Sequence, residues 1–209
     1  MLIDAGVDDI GISFTVGWHN IGNLLDNTKY VIDKFKVKSL GYKILMDSEH
    51  QIFADRDYAR KASDEIIQCF EYLREQGIYE DRVMRKVEFF TNKKVYPNDC
   101  AACGRQVVAL PSGEIGPCQA FMGSKKYFTK YKTGFSPYTD KTFAEWANRS
   151  PLSMPQCYNC IAIGLCGGGC PCRSDIRNGS IWAIDDIFCI HSKKSVEWVL
   201  QDFIRQNQQ

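Results

Sequence analysis

Ten cysteines are the residues of this chain best suited to chemistry, and nine of them lie within residues 100–189. These nine are Cys100, Cys103, Cys118, Cys157, Cys160, Cys166, Cys170, Cys172 and Cys189. The tenth, Cys69, stands alone among apolar residues, and we expect it to be a buried hydrophobic side chain. Because the first residues have neither the basic nor the apolar region of an export signal, we interpret the clustered thiols as metal ligands rather than as disulfides.

The spacing of the cysteines suggests how they could meet. Residues 106–115 predict a β-hairpin with its turn at Ser112-Gly113, which would bring the flanking Cys103 and Cys118 to one centre. Residues 157–160 form a Cys-x2-Cys knuckle, a loop that directs two thiolates to one site. Three glycines, residues 167–169, separate Cys166 from Cys170 and free the backbone, so these two thiols could serve different centres.

The number of thiols sets the expected number of centres. Eight thiolates complete two four-cysteine sites, whereas a single ion or cluster would leave about five of the nine without a role. Zinc accepts the same knuckles as iron–sulfur clusters, so ligand chemistry alone leaves two structural zinc ions and two clusters equally open.

Composition and charge exclude several classes of function. The 209 residues correspond to roughly one to one and a half domains, and 44% of them are hydrophobic, as in a globular protein. The 26 Lys and Arg nearly balance the 25 Asp and Glu, which argues against nucleic acid as a partner. No stretch approaches the roughly 20 apolar residues of a membrane helix. We therefore expect a cytoplasmic protein without a membrane partner.

The elements that must position the cysteines follow from hydrophobic patterning. A strand is predicted over Asp9–Val16, a helix over residues 22–36, and a second strand over Val37–Met46. Strand, helix and strand with short connections predict an α/β fold with a parallel sheet or barrel. A longer helix is predicted over residues 56–76 and a last one over 192–205, with His191 at its start.

The cysteine pattern resembles that of a known family. It is similar to the SPASM domain, the C-terminal extension of a group of radical S-adenosylmethionine (radical SAM) enzymes that includes anaerobic sulfatase maturases. Seven cysteines and one glycine match that arrangement: Cys103, Gly113, Cys118, Cys157, Cys160, Cys166, Cys170 and Cys189. Members of the family modify peptides and proteins through sulfatase maturation, thioether and carbon–carbon crosslinking and quinone cofactor biogenesis.

The resemblance implies two auxiliary [4Fe–4S] clusters and a ligand set for each. The first cluster would take Cys100, Cys103, Cys118 and Cys170. The second would take Cys157, Cys160, Cys166 and Cys189. Cys172 matches no ligand of the family, and it is either a packed thiol or a substitute for Cys100.

The first half of the chain resembles the same enzymes. Residues 11–16, the following helix and residues 39–44 look like the last strand–helix–strand of the radical SAM partial barrel. The implied fold class is α/β: residues 1–96 form the remnant of a partial (β/α) barrel plus a linker helix. Residues 97–209 form an irregular cysteine-rich SPASM domain with a β-hairpin and short helices.

One motif of the family does not occur in this chain. Radical SAM chemistry needs a Cys-x3-Cys-x2-Cys loop whose cluster binds S-adenosylmethionine, so that cofactor is expected only in a full-length enzyme. We interpret the chain as the C-terminal part of a peptide maturase from a truncated or split gene, inactive alone, with no catalytic residue assigned. The implied partners are a peptide or protein substrate and an electron donor or acceptor such as ferredoxin or flavodoxin.

Two other functions stay open at this point. The chain could be a stand-alone iron–sulfur module that transfers electrons or docks a peptide for a partner subunit. It could also be a zinc-stabilised interaction module, since zinc accepts the same thiolates.

Overall fold

The protein is described by a computed structural model, in which residues 6, 7, 10–47 and 54–208 are described. The chain divides into two compact units. The described residues of the first unit lie within Met1–Met46, Phe53–Lys94 and Ile190–Gln209, and those of the second within Asp47–Ile52 and Val95–Cys189. The assignment of residues 1–96 to a barrel remnant and of 97–209 to a SPASM domain stays a prediction.

A parallel sheet forms the centre of the first unit. Strands β1 (Gly11–Val16), β2 (Ser39–Ile44) and β3 (Tyr79–Glu80) lie in the order β1-β2-β3, and Val16 is the register partner of Ile44. Helix α1 (Leu24–Phe35) connects the first two strands, so the predicted strand–helix–strand unit is confirmed. Strand β3 has only two residues, too few for a hydrophobic period to reveal.

Helices α2 (Arg56–Glu75) and α3 (Asp81–Thr91) contact the strands of this sheet. Asp55 caps α2 by accepting a hydrogen bond from the amide of Tyr58, at 2.7 Å. Cys69 is fully buried on the inner face of α2, which confirms the prediction of a packed side chain. Burial raises the pKa of its thiol to about 11, so Cys69 stays protonated near neutral pH.

Helix α6 (Asp186–Asn207) begins six residues before the predicted start of the last helix. Asp185 directly before it accepts a hydrogen bond from the amide of Phe188, at 3.0 Å, as an N-capping residue does. The prediction that His191 opens this helix is wrong, because His191 lies in its second turn and is fully buried.

The second unit is built from short elements. Strands β4 (Val108–Ala109), β5 (Glu114–Gly116) and β6 (Thr129–Lys130) form an antiparallel sheet in the order β4-β5-β6. The predicted hairpin is confirmed by the β4–β5 pairing, with Gly113 in the turn at φ +82°. Helices α4 (Lys141–Asn148) and α5 (Pro171–Asn178) have eight residues each.

The described residues therefore form a mixed α/β structure with two small sheets and six helices, and their strands close no barrel. The origin of the first sheet in a partial barrel stays a prediction. None of the described helices combines the length and the apolar character that crossing a membrane requires.

Candidate metal centre

None of the ten cysteines forms a disulfide, and the nine in the second unit fall into two groups. We define membership by mutual influence: within a group, the charge or the hydrogen bond of one thiol shifts the pKa of another. The first thiol group consists of Cys100, Cys103, Cys118, Cys170 and Cys172. The second thiol group consists of Cys157, Cys160, Cys166 and Cys189.

Three local structures bring the first thiol group together. Cys100 and Cys103 share a turn in which the amide of Cys103 donates to the carbonyl of Cys100, at 3.1 Å. Cys118 follows β5 and is buried. Cys170 directly precedes α5, and Cys172 lies in the first turn of that helix. A turn, the hairpin and one helix terminus are thus the structures that position these thiols.

Burial dominates the electrostatics of Cys100 and Cys103. Desolvation, followed by the charge of Cys170, raises the pKa of Cys100 to about 12. Desolvation also raises the pKa of Cys103 to about 11, while the charge and a side-chain hydrogen bond of Arg149 act in the opposite direction. A thiol with such a raised pKa becomes a thiolate near neutral pH only when a bound cation compensates its charge.

Cys172 belongs to this group although it matches no ligand of the family. Its side chain is fully buried among Trp146, Phe121 and other apolar residues. Its hydrogen bonds lower the pKa of Cys118 to about 7 and also lower the pKa of Cys170, while they raise the pKa of Cys172 itself. Cys172 is therefore packed in this core and hydrogen-bonded to two of the predicted ligands, and whether it substitutes for Cys100 stays a prediction.

The second thiol group gathers around the Cys-x2-Cys knuckle. The amide of Cys160 donates to the carbonyl of Cys157 at 2.9 Å, which closes the knuckle. Cys189 lies in the first turn of α6. Desolvation, followed by the charges of Cys166, Asp185, Cys157 and Cys160, raises the pKa of Cys189 to about 12.

The glycine loop separates Cys166 from Cys170. Gly167, Gly168 and Gly169 all have positive φ, at 72°, 83° and 69°. A Cβ on Gly167 would stand 2.5 Å from the amide nitrogen of Asp99, so the backbones approach too closely there for any side chain. The loop leaves Cys166 in the second thiol group and Cys170 in the first.

The chemistry of the donors fits a thiolate-ligated metal or cluster. Both groups offer soft sulfur ligands and are buried or half-buried. Within the part of the chain that the structure describes, no three His, Cys, Asp or Glu side chains already stand in the arrangement of a single-ion site. Metal binding by the eight predicted ligands stays a prediction.

Three charged residues next to the thiols were missed by sequence reasoning. Arg149 is fully buried at the end of α4. Arg173 is buried in α5 and forms an ion pair with Asp185, whose carboxylate also accepts a hydrogen bond from the amide of Cys170, at 2.9 Å. The side-chain partners of the two arginines lie at least 12 residues away along the chain, so no local spacing signalled them.

An open cleft of about 530 Å³ adjoins the turn that follows Cys103. Arg105, Val107, Tyr138 and Phe143 are among its lining residues. Tyr138 is 89% exposed there.

Comparison with known proteins gives one distant relationship. No family model matches the chain. It is 25% identical over 164 residues to the radical SAM cyclopropyl synthase TigE of Paramaledivibacter caminithermalis. The match covers 74% of this chain and 32% of that enzyme, so the chain spans about a third of its relative's length. At this identity and coverage, the likeness supports a distant relationship to the radical SAM enzymes.

Proposed function

We propose that this chain binds two [4Fe–4S] clusters and forms the C-terminal, SPASM-like portion of a radical SAM peptide or protein maturase. The observation that carries the proposal is the separation of the nine buried and half-buried thiols into two groups. Each group contains the four ligands that the family resemblance assigns to one cluster.

The chain's own residues would hold the clusters as follows. The first cluster takes Cys100, Cys103, Cys118 and Cys170, and the second takes Cys157, Cys160, Cys166 and Cys189. Bound clusters supply one-electron transfer or an anchor for substrate. Burial in the hydrophobic core excludes water from the first thiol group, and the Arg173–Asp185 pair fixes the backbone at Cys170.

The activity of the whole enzyme lies outside this chain. The sequence contains no Cys-x3-Cys-x2-Cys loop, so S-adenosylmethionine would bind to the part of the enzyme that carries that loop. The first unit's parallel sheet is then the remnant of the partial barrel. The partners are a peptide or protein substrate, as the family resemblance implies, and an electron carrier such as ferredoxin or flavodoxin.

Anaerobic reconstitution with iron and sulfide tests the proposal. The chain should become brown and hold about eight irons, because thiolate-ligated iron absorbs broadly in the visible. The double variant Cys103→Ala/Cys118→Ala and the double variant Cys157→Ala/Cys160→Ala should each retain about half of the iron.

The matched control is Cys69→Ala, which removes a buried thiol of the first unit and should leave the iron content unchanged. A colourless protein that holds about two zinc ions would contradict the cluster proposal and favour the zinc-stabilised module. A stand-alone electron-transfer module would bind the same clusters but would need a separate radical SAM subunit as its partner.

A further inference from the structure

Arg149 uses its guanidinium to connect the segments around the first thiol group. Its Nε donates to the carbonyl of Ile181, its Nη1 to the carbonyl of Gly168 at 2.8 Å, and its Nη2 to Ser174 Oγ at 3.1 Å. A second bond from Nη2 reaches the carbonyl of Ala183 at 3.3 Å. These bonds use four of the five N–H groups and leave one on Nη1.

Every one of these acceptors is neutral, although Arg149 is a fully buried cation. Among residues 10–47 and 54–208, no carboxylate lies within ion-pair distance of its guanidinium. Arg173 in α5 differs, because Asp185 and Asp47 lie 3.2 and 3.5 Å from its guanidinium. A buried positive charge without an anion destabilises a fold, so Arg149 calls for a negative partner.

The first thiol group provides the place for that partner. Ser174 Oγ, which accepts from Arg149 Nη2, donates in turn to the carbonyl of Cys170 at 3.1 Å. The charge and a side-chain hydrogen bond of Arg149 also lower the pKa of Cys103 against the effect of burial. Gly168 makes room for the guanidinium, since a Cβ at that position would stand 3.3 Å from Arg149 Nη1. Gly168 also belongs to the loop that leads to Cys170.

We propose that Arg149 is the counter-charge and positioning residue of the anionic centre held by the first thiol group. It raises the reduction potential of a cluster bound there. This inference rests on the proposed function. A low-potential reductant that passes one electron to the centre adds one negative charge beside Arg149. The guanidinium would stabilise that charge, and its one remaining Nη1 N–H would be available to a sulfur atom of the bound centre.

Redox titration of the full-length reconstituted chain tests the assignment, with both clusters followed by electron paramagnetic resonance. Cys157→Ala/Cys160→Ala identifies the signal of the first cluster. In Arg149→Met, the ratio of reduced to oxidised first cluster at a fixed potential should fall about tenfold. That corresponds to a potential about 59 mV more negative for one electron. The second cluster's potential should not move. Arg149→Lys keeps the positive charge, so the potential of its first cluster should stay close to that of the unmutated chain.

Arg105→Met is the matched control. It removes the same charge from a residue whose charge also acts on Cys103, but Arg105 is exposed and screened by water. We expect a change of less than about threefold in the same ratio. Equal shifts in Arg105→Met and Arg149→Met would overturn the proposal, as would unchanged potentials in Arg149→Met.

If Arg149→Met does not fold, pulsed electron paramagnetic resonance provides a second test of the role of Arg149. With arginine ¹⁵N-labelled at the guanidinium, pulsed electron paramagnetic resonance of the reduced protein should detect nitrogen coupling to the first cluster that is lost in Arg149→Lys and kept in Arg105→Met. A loaded first cluster without arginine coupling overturns the role of Arg149 and leaves the proposed function standing. A chain that forms no cluster in the first thiol group overturns both.

Discussion

Glu114 shows how a single carboxylate can organise the hairpin beside Cys118. Ser112 Oγ donates to it, and Lys125 and Lys130 lie 3.1 and 3.4 Å away. The hydrogen bond from Ser112, followed by that from Lys125, lowers the pKa of Glu114 from its usual value near 4.5 to about 2. The carboxylate therefore remains charged in acid that protonates most others.

The stabilising contribution of Glu114 should be complete above pH 4.5 and lost as the pH falls through about 2, because its pKa is depressed in the folded state. A carboxyl ¹³C NMR titration should place the titration midpoint of Glu114 near pH 2. Lys125→Met should raise the midpoint, whereas Lys141→Met at the start of α4 should not. A midpoint above pH 4 in the unmutated chain would contradict this prediction.

At the residue scale, the sequence revealed ligand candidates but not their charged neighbours. Cysteines are chemically distinctive, and a knuckle such as Cys157–Cys160 is contained in four residues. Arg149 looks like an ordinary surface residue in the sequence. Its hydrogen-bond partners lie 19 to 34 residues away, so only the folded chain reveals its burial.

The glycine loop is the element on which the separation of the two thiol groups depends. Gly167→Ala should destabilise the apo protein by at least about 2 kcal/mol, because it combines a positive φ with a clash against the backbone of Asp99. Gly113→Ala, at positive φ in open space, should cost about 1 kcal/mol. Urea unfolding followed by circular dichroism measures both.

Gly164→Ala provides the control for these variants. Gly164 has neither a positive φ nor a neighbour within 4 Å of an added Cβ, so the change should stay within about 0.5 kcal/mol. Equal effects at residues 164 and 167 would show that loop strain is not what separates the groups.

Helices α2 and α6 of the first unit are joined through Trp198. Its ring lies 4.9 Å from the ring of Phe70 in an edge-to-face arrangement, and its Nε1 donates to Glu71 at 2.7 Å. Trp198→Ala should lower the free energy of unfolding by about 3–5 kcal/mol. Phe203→Ala, at a half-exposed position on the same helix, should lower it by about 1 kcal/mol in the same thermal or urea assay.

Element lengths explain which parts of the fold could be predicted. Helix α2 has 20 residues and a repeating apolar face, so its bounds follow from periodicity. Helices α4 and α5 have eight residues each, which is about two turns and too few for a clear period. The predicted start of α6 lies six residues after the observed one, because the continuous apolar run of residues 187–190 shows no helical period.

At the scale of the whole molecule, the proposed ligand sets leave no iron with a free coordination position. Each cluster would have four thiolates, whereas cleavage of S-adenosylmethionine needs an iron with a free position. The reconstituted chain, given S-adenosylmethionine and dithionite, should therefore form no 5′-deoxyadenosine above a protein-free control. Chromatography of the reaction products measures this. Stoichiometric 5′-deoxyadenosine formation would require one of the eight cysteines to be free of iron.

Trp146 provides an optical reporter of the first thiol group. It shares a buried core with Cys118 and Cys172, and Trp182 packs against the same core. A bound iron–sulfur cluster absorbs broadly and would quench the fluorescence of these two tryptophans by energy transfer. Zinc on the same thiols has no such absorption and would leave them fluorescent. A fluorescence titration of the intact chain would thus distinguish iron–sulfur loading from zinc loading in the same cuvette.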